Sequence, residues 1–198
     1  MYRVILTTSR RPNNRVRSFV KELYLTLPKA IRLNRGHLSM EELAREALLL
    51  RAERVVIVSS RRGNPGIIRF YSVEPRSLTL VNLASIIVRG VSLAREGGRG
   101  YPGEKPRGLY VSTDKTLTAR EFGRALTIGL GALMEPAPGL LEARIRKRGK
   151  NTVSLSFFYE GKPVGPRLLL SRPQHMIKQE DSNPIIGPLE KEDTQMGV

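Results

Sequence analysis

Val16, Phe19, Val20, Leu23, Tyr24 and Leu27 fall at i, i+3, i+4, i+7, i+8 and i+11, the spacing of one helix face. Pro28 stops that helix. Before it, the β-branched run Tyr2 to Thr8 predicts a buried strand, and the polar Ser9 to Asn14 a turn with Asn13 or Asn14 as N-cap. After it, Ala30 to Asn34 predicts a short second strand. Ser39-Met40-Glu41-Glu42 is a capping box opening a second helix to about Ala52, with Leu43, Ala47 and Leu50 inward. Arg54 to Ser60 predicts a third strand, completing β-α-β-α-β, and right-handed crossovers make its three strands parallel.

The pattern then turns antiparallel. Ile67 to Val73 alternates after a tight Gly-Asn-Pro-Gly turn, and Leu78 to Leu83 and Ile86 to Val88 continue the sheet. Gly97 to Gly108, with five Gly and two Pro, predicts a flexible loop joining an N-terminal half, residues 1–96, to a C-terminal half, residues 109–173. The second half opens like the first: a strand at Leu109 to Thr113, a polar turn, a capping box at Thr118 to Glu121, and a helix with Phe122, Ala125, Leu126, Gly129, Leu130 and Leu133 on one face. Laid over the first half, it pairs Phe19 with Phe122 and Leu23 with Leu126, which makes an internal duplication a hypothesis. A meander of Leu140 to Lys147, Thr152 to Tyr159 and Val164 to Leu170 follows in place of a second helix. Residues 174–198 lose periodicity and predict an acidic, disordered tail. The expected fold is therefore α/β, with two similar halves and mixed sheets.

Charge adds a partner class to this outline. The chain has a formal net charge of +16; residues 179–198 carry −4, which leaves +20 on residues 1–178. Such a field draws polyanions without choosing among RNA, DNA and acidic membrane. Arginine outnumbers lysine 25 to 9, and the planar guanidinium suits bidentate phosphate contacts. There is no cysteine, so disulfides, thiolate nucleophiles and cysteine-held metals are excluded, in keeping with a cytoplasmic protein. The longest apolar run, Ala125 to Met134, is too short to span a bilayer, and the N-terminus lacks the pattern of a signal peptide.

Parallel strands send their carboxyl-end loops to one sheet edge, where open α/β sheets place ligands. Those loops are Ser9 to Asn14, Arg35 to Ser39 and Arg61 to Gly66, so Ser9, Arg10, Arg11, Asn14, Arg35, His37, Arg61 and Arg62 are expected to meet on a basic rim. Arg15 and Arg17 lie in the first helical turn, where a cation is unfavourable unless an anion joins it. Lys21 on the helix, and Arg32 and Asn34 before the second loop, complete the set. Arg144, Arg146 and Arg148 recur at i, i+2, i+4, a stripe on one strand face and a second candidate polyanion contact. Nucleotide-binding, metalloprotease and hydrolase motifs are absent, no metal or cofactor is expected, and Gly129-Leu130-Gly131 reads as helix packing. A protein-docking scaffold, or an RNA-processing enzyme using His37 as general base, stays open as an alternative.

Thr7 to Gly36 resembles the opening signature of the Brix-domain family of ribosome-biogenesis proteins, in which TTSR-x-P-(S/N)-x-R precedes F-x-K-E-L and P-x-A-x-R-x-N-R-G. Thr7, Thr8, Ser9, Arg10, Pro12, Arg15, Phe19, Lys21, Glu22, Leu23, Pro28, Ala30, Arg32, Asn34, Arg35 and Gly36 match. Arg62-Gly63-Asn64-Pro65-Gly66 is similar to a later R-G-x-P-(D)-G loop, and Val164-Gly165-Pro166-Arg167 to a late G-P-R strand. The family's H-L-P-x-G-P-T segment is replaced by Tyr71 to Ser77, and the length resembles the compact archaeal type. The resemblance implies two halves, each like the anticodon-binding domain of class IIa aminoacyl-tRNA synthetases. It also implies non-catalytic binding of precursor ribosomal RNA. Ribosomal or assembly proteins and small guide RNA particles are further candidate partners, and membrane is not.

Overall fold

The computed structural model describes residues 2–174. In chain order the elements are β1 (Val4–Thr8), α1 (Asn14–Thr26), β2 (Ala30–Arg32), α2 (Met40–Leu49), β3 (Arg54–Arg61), β4 (Asn64–Glu74), β5 (Thr79–Ser92), β6 (Gly108–Thr113), α3 (Leu117–Leu130), β7 (Leu140–Gly149), β8 (Thr152–Tyr159) and β9 (Lys162–Gln174). Nine strands form one sheet in the order β2-β1-β3-β4-β5-β9-β8-β7-β6. β1 is parallel to β2 and β3, β6 is parallel to β7, and every other neighbouring pair is antiparallel.

The connections repeat. β1-α1-β3-β4-β5 and β6-α3-β7-β8-β9 follow the same order, with β2 and α2 added between α1 and β3 in the first set alone. Antiparallel pairing of β5 with β9 joins the sets, so the carboxyl ends of β1 and β6 point to opposite edges of the sheet. Across the seam α1 packs on β9, and α3 packs on β3, β4 and β5. One buried apolar cluster therefore runs through both sets, from Val4, Phe19 and Phe70 to Phe122, Leu155 and Leu170. On the other face α2 buries Leu43 and Ala47 against Ile5, Val55 and Ile57.

Several local expectations shift. The strands expected at Leu78 to Leu83 and Ile86 to Val88 are one long strand, β5, which begins at Thr79 after Leu78 turns at φ 53°; its register slips opposite Phe70/Tyr71 and again at Ser85/Ile87 and Val88/Gly90. The tight turn before β4 is the pair Arg62-Gly63, both at positive φ (48° and 78°), and not Gly63 to Gly66. Helix α3 is capped by Thr116, whose Oγ1 accepts from Ala119 N at 3.4 Å, and not by Thr118. Asp114 decides this, because its Oδ1 takes both the N–H (3.2 Å) and the hydroxyl (2.7 Å) of Thr116. Gly129 does serve packing, since a Cβ there would stand 2.4 Å from the Phe70 ring, but Gly131 is the left-handed C-cap at φ 66°.

The segment expected to be a flexible loop is tied down. A 3₁₀ turn at Ala94–Gly97 precedes it. Arg99 then donates to the carbonyls of Ser92, Leu93 and Gly165, and Lys105 Nζ to those of Tyr24 and Leu27 at the end of α1. Gln174, expected to begin the tail, ends β9 opposite Ser85; residues 175–198 lie outside the described residues.

Candidate nucleic-acid interface

At the carboxyl ends of β1 and β2, a cavity of about 560 Å³ is lined by Thr8, Arg10, Arg11, Pro12, Arg17, Asn34, Gly36 and His37. The first loop leaves β1 through Ser9, whose N–H bonds Val58 O at 2.9 Å, and enters α1 at Asn13, whose Oδ1 accepts from Val16 N at 2.9 Å. Between these anchors Arg11 takes φ 56°, a left-handed conformation that costs a non-glycine residue on the order of 1 kcal/mol or more. The second loop turns at Gly36 (φ 50°) and ends in the capping box, where Ser39 Oγ accepts from Glu42 N and Glu42 Oε2 from Ser39 N. Arg10, Arg11, Arg17, Asn34 and His37 are all exposed at the cavity.

Arg35 lies beneath them and is only 4% exposed. Its Nη2 meets the Met40 sulfur at 3.6 Å, and neither Nε nor Nη1 has a hydrogen-bond partner. Burial, and then the nearby charge of Arg10, hold the Arg35 pKa below its ordinary value. The hydroxyl of Thr7, fully buried on the adjacent strand, is also unpartnered. Leaving a donor unpaired in this way costs about 1–3 kcal/mol, and more for a charged group. Glu42 supplies little relief, because its carboxylate is held by Ser39.

Two of the three loops thus share the cavity. Arg61 and Arg62 instead line a separate cleft of about 400 Å³ with Asn64, Pro65, Gly66, Arg89 and Val91. Arg61 pairs within the β3–β4 hairpin opposite Asn64, which carries the hairpin past the rim and onto the side of β5. Ser9 is half-buried and does not line the cavity, Asn14 is exposed at the first helical position, Lys21 is exposed further along α1, and Arg32 is exposed on the edge strand β2.

Arg15 has a partner within the chain. It forms a two-pronged pair with Glu96 (2.6 and 3.0 Å) and donates to Val91 O at 3.1 Å. The hydrogen bond to Glu96 raises the Arg15 pKa, and the same bond holds the Glu96 carboxyl below its ordinary value. Within the chain, Glu96 offsets the cation that Arg15 places at the start of α1, while Arg17 in the same turn is exposed. Arg144 is likewise engaged, bonded to Glu142 at 2.9 and 2.8 Å and stacked 3.7 Å from the Phe158 ring. Burial pushes the Glu142 carboxyl up, but hydrogen bonds from Arg144 and Ser112 hold it below the ordinary range. Arg146 and Arg148 are exposed on the same face, at the end of β7 that points away from the rim.

Sequence reasoning missed Glu96 and Glu142 as the carboxylates that take up Arg15 and Arg144. It also missed Arg89, which faces Arg61 and Arg62 only because β5 lies beside β4. Glu142 was within reach, since it shares the two-residue period of the stripe; Glu96 is 81 residues from Arg15 and left no local signal.

No family model matches the chain. A probable Brix domain-containing ribosomal biogenesis protein of Aeropyrum pernix is 49% identical over 179 residues, covering 88% of this chain and 98% of the relative. A probable Brix domain-containing ribosomal biogenesis protein of Pyrococcus horikoshii is 35% identical over 103 residues, 52% of this chain and 44% of the relative. Among solved structures, a probable ribosomal biogenesis protein from Aeropyrum pernix superposes with a TM-score of 0.83 at 47% identity, over 90% of this chain and all of that one. The archaeal Imp4-like protein Mil gives a TM-score of 0.60 at 23% identity over 86% of this chain and 98% of that one, a likeness of fold.

Proposed function

The chain belongs to the Brix-domain family of ribosomal biogenesis proteins, and from that premise we propose that it is a non-catalytic RNA-binding factor acting on precursor ribosomal RNA. The observation that carries this reading is the basic cavity with no acidic residue in its lining and, behind it, a buried Arg35 whose Nε and Nη1 have no partner. Phosphate oxygens would supply the acceptors that the chain does not. Arg10, Arg11 and Arg17 provide forked donors, and Asn34 and His37 provide further hydrogen-bonding groups for the ribose or a base edge. Neutralised phosphates allow RNA segments to approach and pair, so the factor works as a chaperone of folding within pre-ribosomal particles. A likeness of each half to the anticodon-binding domain of class IIa synthetases is part of the same proposal, as are contacts with ribosomal or assembly proteins and guide RNA particles. Among the described residues no helix is long and apolar enough to cross a membrane.

The test is the affinity for a single-stranded ribosomal RNA fragment measured across salt. Each phosphate engaged contributes about −0.7 to the slope of log affinity against log salt. Arg10→Glu with Arg17→Glu should weaken binding at least tenfold and flatten the slope, while Arg51→Glu, at the amino end of β3 on the far edge of the sheet, should change little. A salt-independent affinity, or equal losses in both variants, refutes the rim as the site. His37→Ala should reduce affinity at most severalfold; loss of an RNA cleavage activity in that variant would assign the chain to enzymes instead.

A further inference from the structure

Between α3 and β7 the second half has no counterpart of α2. On the face of the sheet that α2 covers in the first half, the part formed by β9, β8 and β7 has no helix packed on it among the described residues. Alternate residues of these strands reach that face: Arg144 opposite Ser156 and Arg146 opposite Ser154, beside Leu169 and Ser171 of β9. Cross-strand arginine–serine bonds recur along this side of the sheet. In the first half Arg69 Nη1 donates to Ser59 Oγ (3.1 Å) and at the seam Arg89 Nε to Ser171 Oγ; on the uncovered part Arg167 Nε donates to Ser156 Oγ (3.2 Å) and Arg148 Nε to Ser154 Oγ (3.1 Å). The carboxylate among them, Glu142, is already bonded to Arg144.

Resting on the RNA-binding reading above, we propose that this face holds the ribose–phosphate backbone of a second RNA segment, so that one molecule grips two segments at once. A guanidinium has five N–H donors, and a bond to serine fixes its plane while leaving the rest to point outward. Serines make a shallow floor, which lets a backbone approach strands that bulkier residues would screen. Phe158, the ring that a base would stack on, is covered by Arg144, so the contact is to phosphate and sugar and not to bases. Leu169, 39% exposed, offers little apolar anchorage for a protein partner. Arg89 also lines the cleft of Arg61 and Arg62, which places those two arginines with this second surface. β8 lies five strands from β1, roughly 24 Å at about 4.8 Å per strand, far enough to hold two separate strands.

The experiment counts short single-stranded RNA oligonucleotides bound per full-length chain, and follows annealing of two complementary labelled strands by energy transfer. The native chain should bind two strands and accelerate annealing. A variant with Arg146→Ser, Arg148→Ser and Arg167→Ser should bind one, at the rim, with annealing slowed at least tenfold and an unchanged circular dichroism spectrum. Should that variant not fold, Arg146→Glu alone, at an exposed position, should weaken the second strand at least fivefold. One strand bound by the native chain, or two by the triple variant, overturns the proposal. Retention of the second strand in the Arg10→Glu, Arg17→Glu variant separates the two sites, whereas loss of all RNA binding in the triple variant alone refutes the rim and leaves this face as the RNA site. If an acidic polypeptide competes for this face and RNA does not, the partner is a protein and the proposal fails.

Discussion

Arg35 shows how one residue can oppose stability in favour of binding. Nothing in its local sequence separates it from Arg32, yet Arg32 is exposed on β2 while Arg35 is inserted beneath the rim with two nitrogens unpartnered. The rim position of Arg10, Arg11 and His37 was legible, because βαβ handedness sends the first two loops to one edge. Depth was not legible, since it depends on where Met40 and the start of α2 settle over the loop. A buried cation with two nitrogens unpartnered is destabilising, so Arg35→Met, similar in length and at ease beside Met40, should leave the melting temperature unchanged or raise it by a few degrees. The same change should weaken RNA binding at least fivefold, through loss of a charged contact. Thermal denaturation and binding on one sample check both halves of this expectation; a lower melting temperature would mean that the guanidinium has a stabilising partner.

Elements were legible wherever the signal lay within a few residues. The capping box at Ser39 formed as expected, because hydroxyl and carboxylate are three residues apart and no competitor is near. The box expected at Thr118 did not form, because Thr116 also offers a hydroxyl and Asp114 selects it. Asp114 reaches further, since its Oδ2 accepts from Lys147 N at 2.5 Å and ties the start of α3 to β7. That backbone bond, then those from Thr116, hold its carboxyl below the ordinary aspartate value of about 4. A depressed folded value adds stability above that ordinary value, and the addition disappears as pH falls through the folded one. Asp114→Asn should therefore cost roughly 1 kcal/mol at pH 7, a modest sum for a partly solvated group, and less at about pH 3, below that ordinary value. Denaturant unfolding at the two pH values measures the difference; an equal cost at both would assign the effect to geometry and not to charge.

At the scale of the whole molecule the repeat was visible in sequence, but the seam was not, because no local pattern says which strands of two similar halves will pair. β5 meets β9, the halves share one sheet, and α3 of the second half lies over β4 of the first. The flexible connection expected between halves is instead pinned by Arg99 and Lys105. Far-ultraviolet circular dichroism and tyrosine fluorescence should accordingly report one coincident unfolding transition. Gly129 gives this a sharper form. Its missing Cβ lets α3 approach Phe70, and a methyl built there would stand 2.4 Å from the ring. Gly129→Ala should destabilise by about 1–3 kcal/mol, outweighing the gain in helix propensity, because a packed core cannot absorb an added carbon at that distance. Phe70→Leu alone should also destabilise, by removing ring contacts from the cluster. Together the two changes should cost less than the sum of the single costs, since leucine vacates the space that the new methyl needs. A coupling of at least 0.5 kcal/mol in denaturant unfolding would tie the second half's helix to the first half's strand; additive costs would place the two residues in independent units and undo the single shared core.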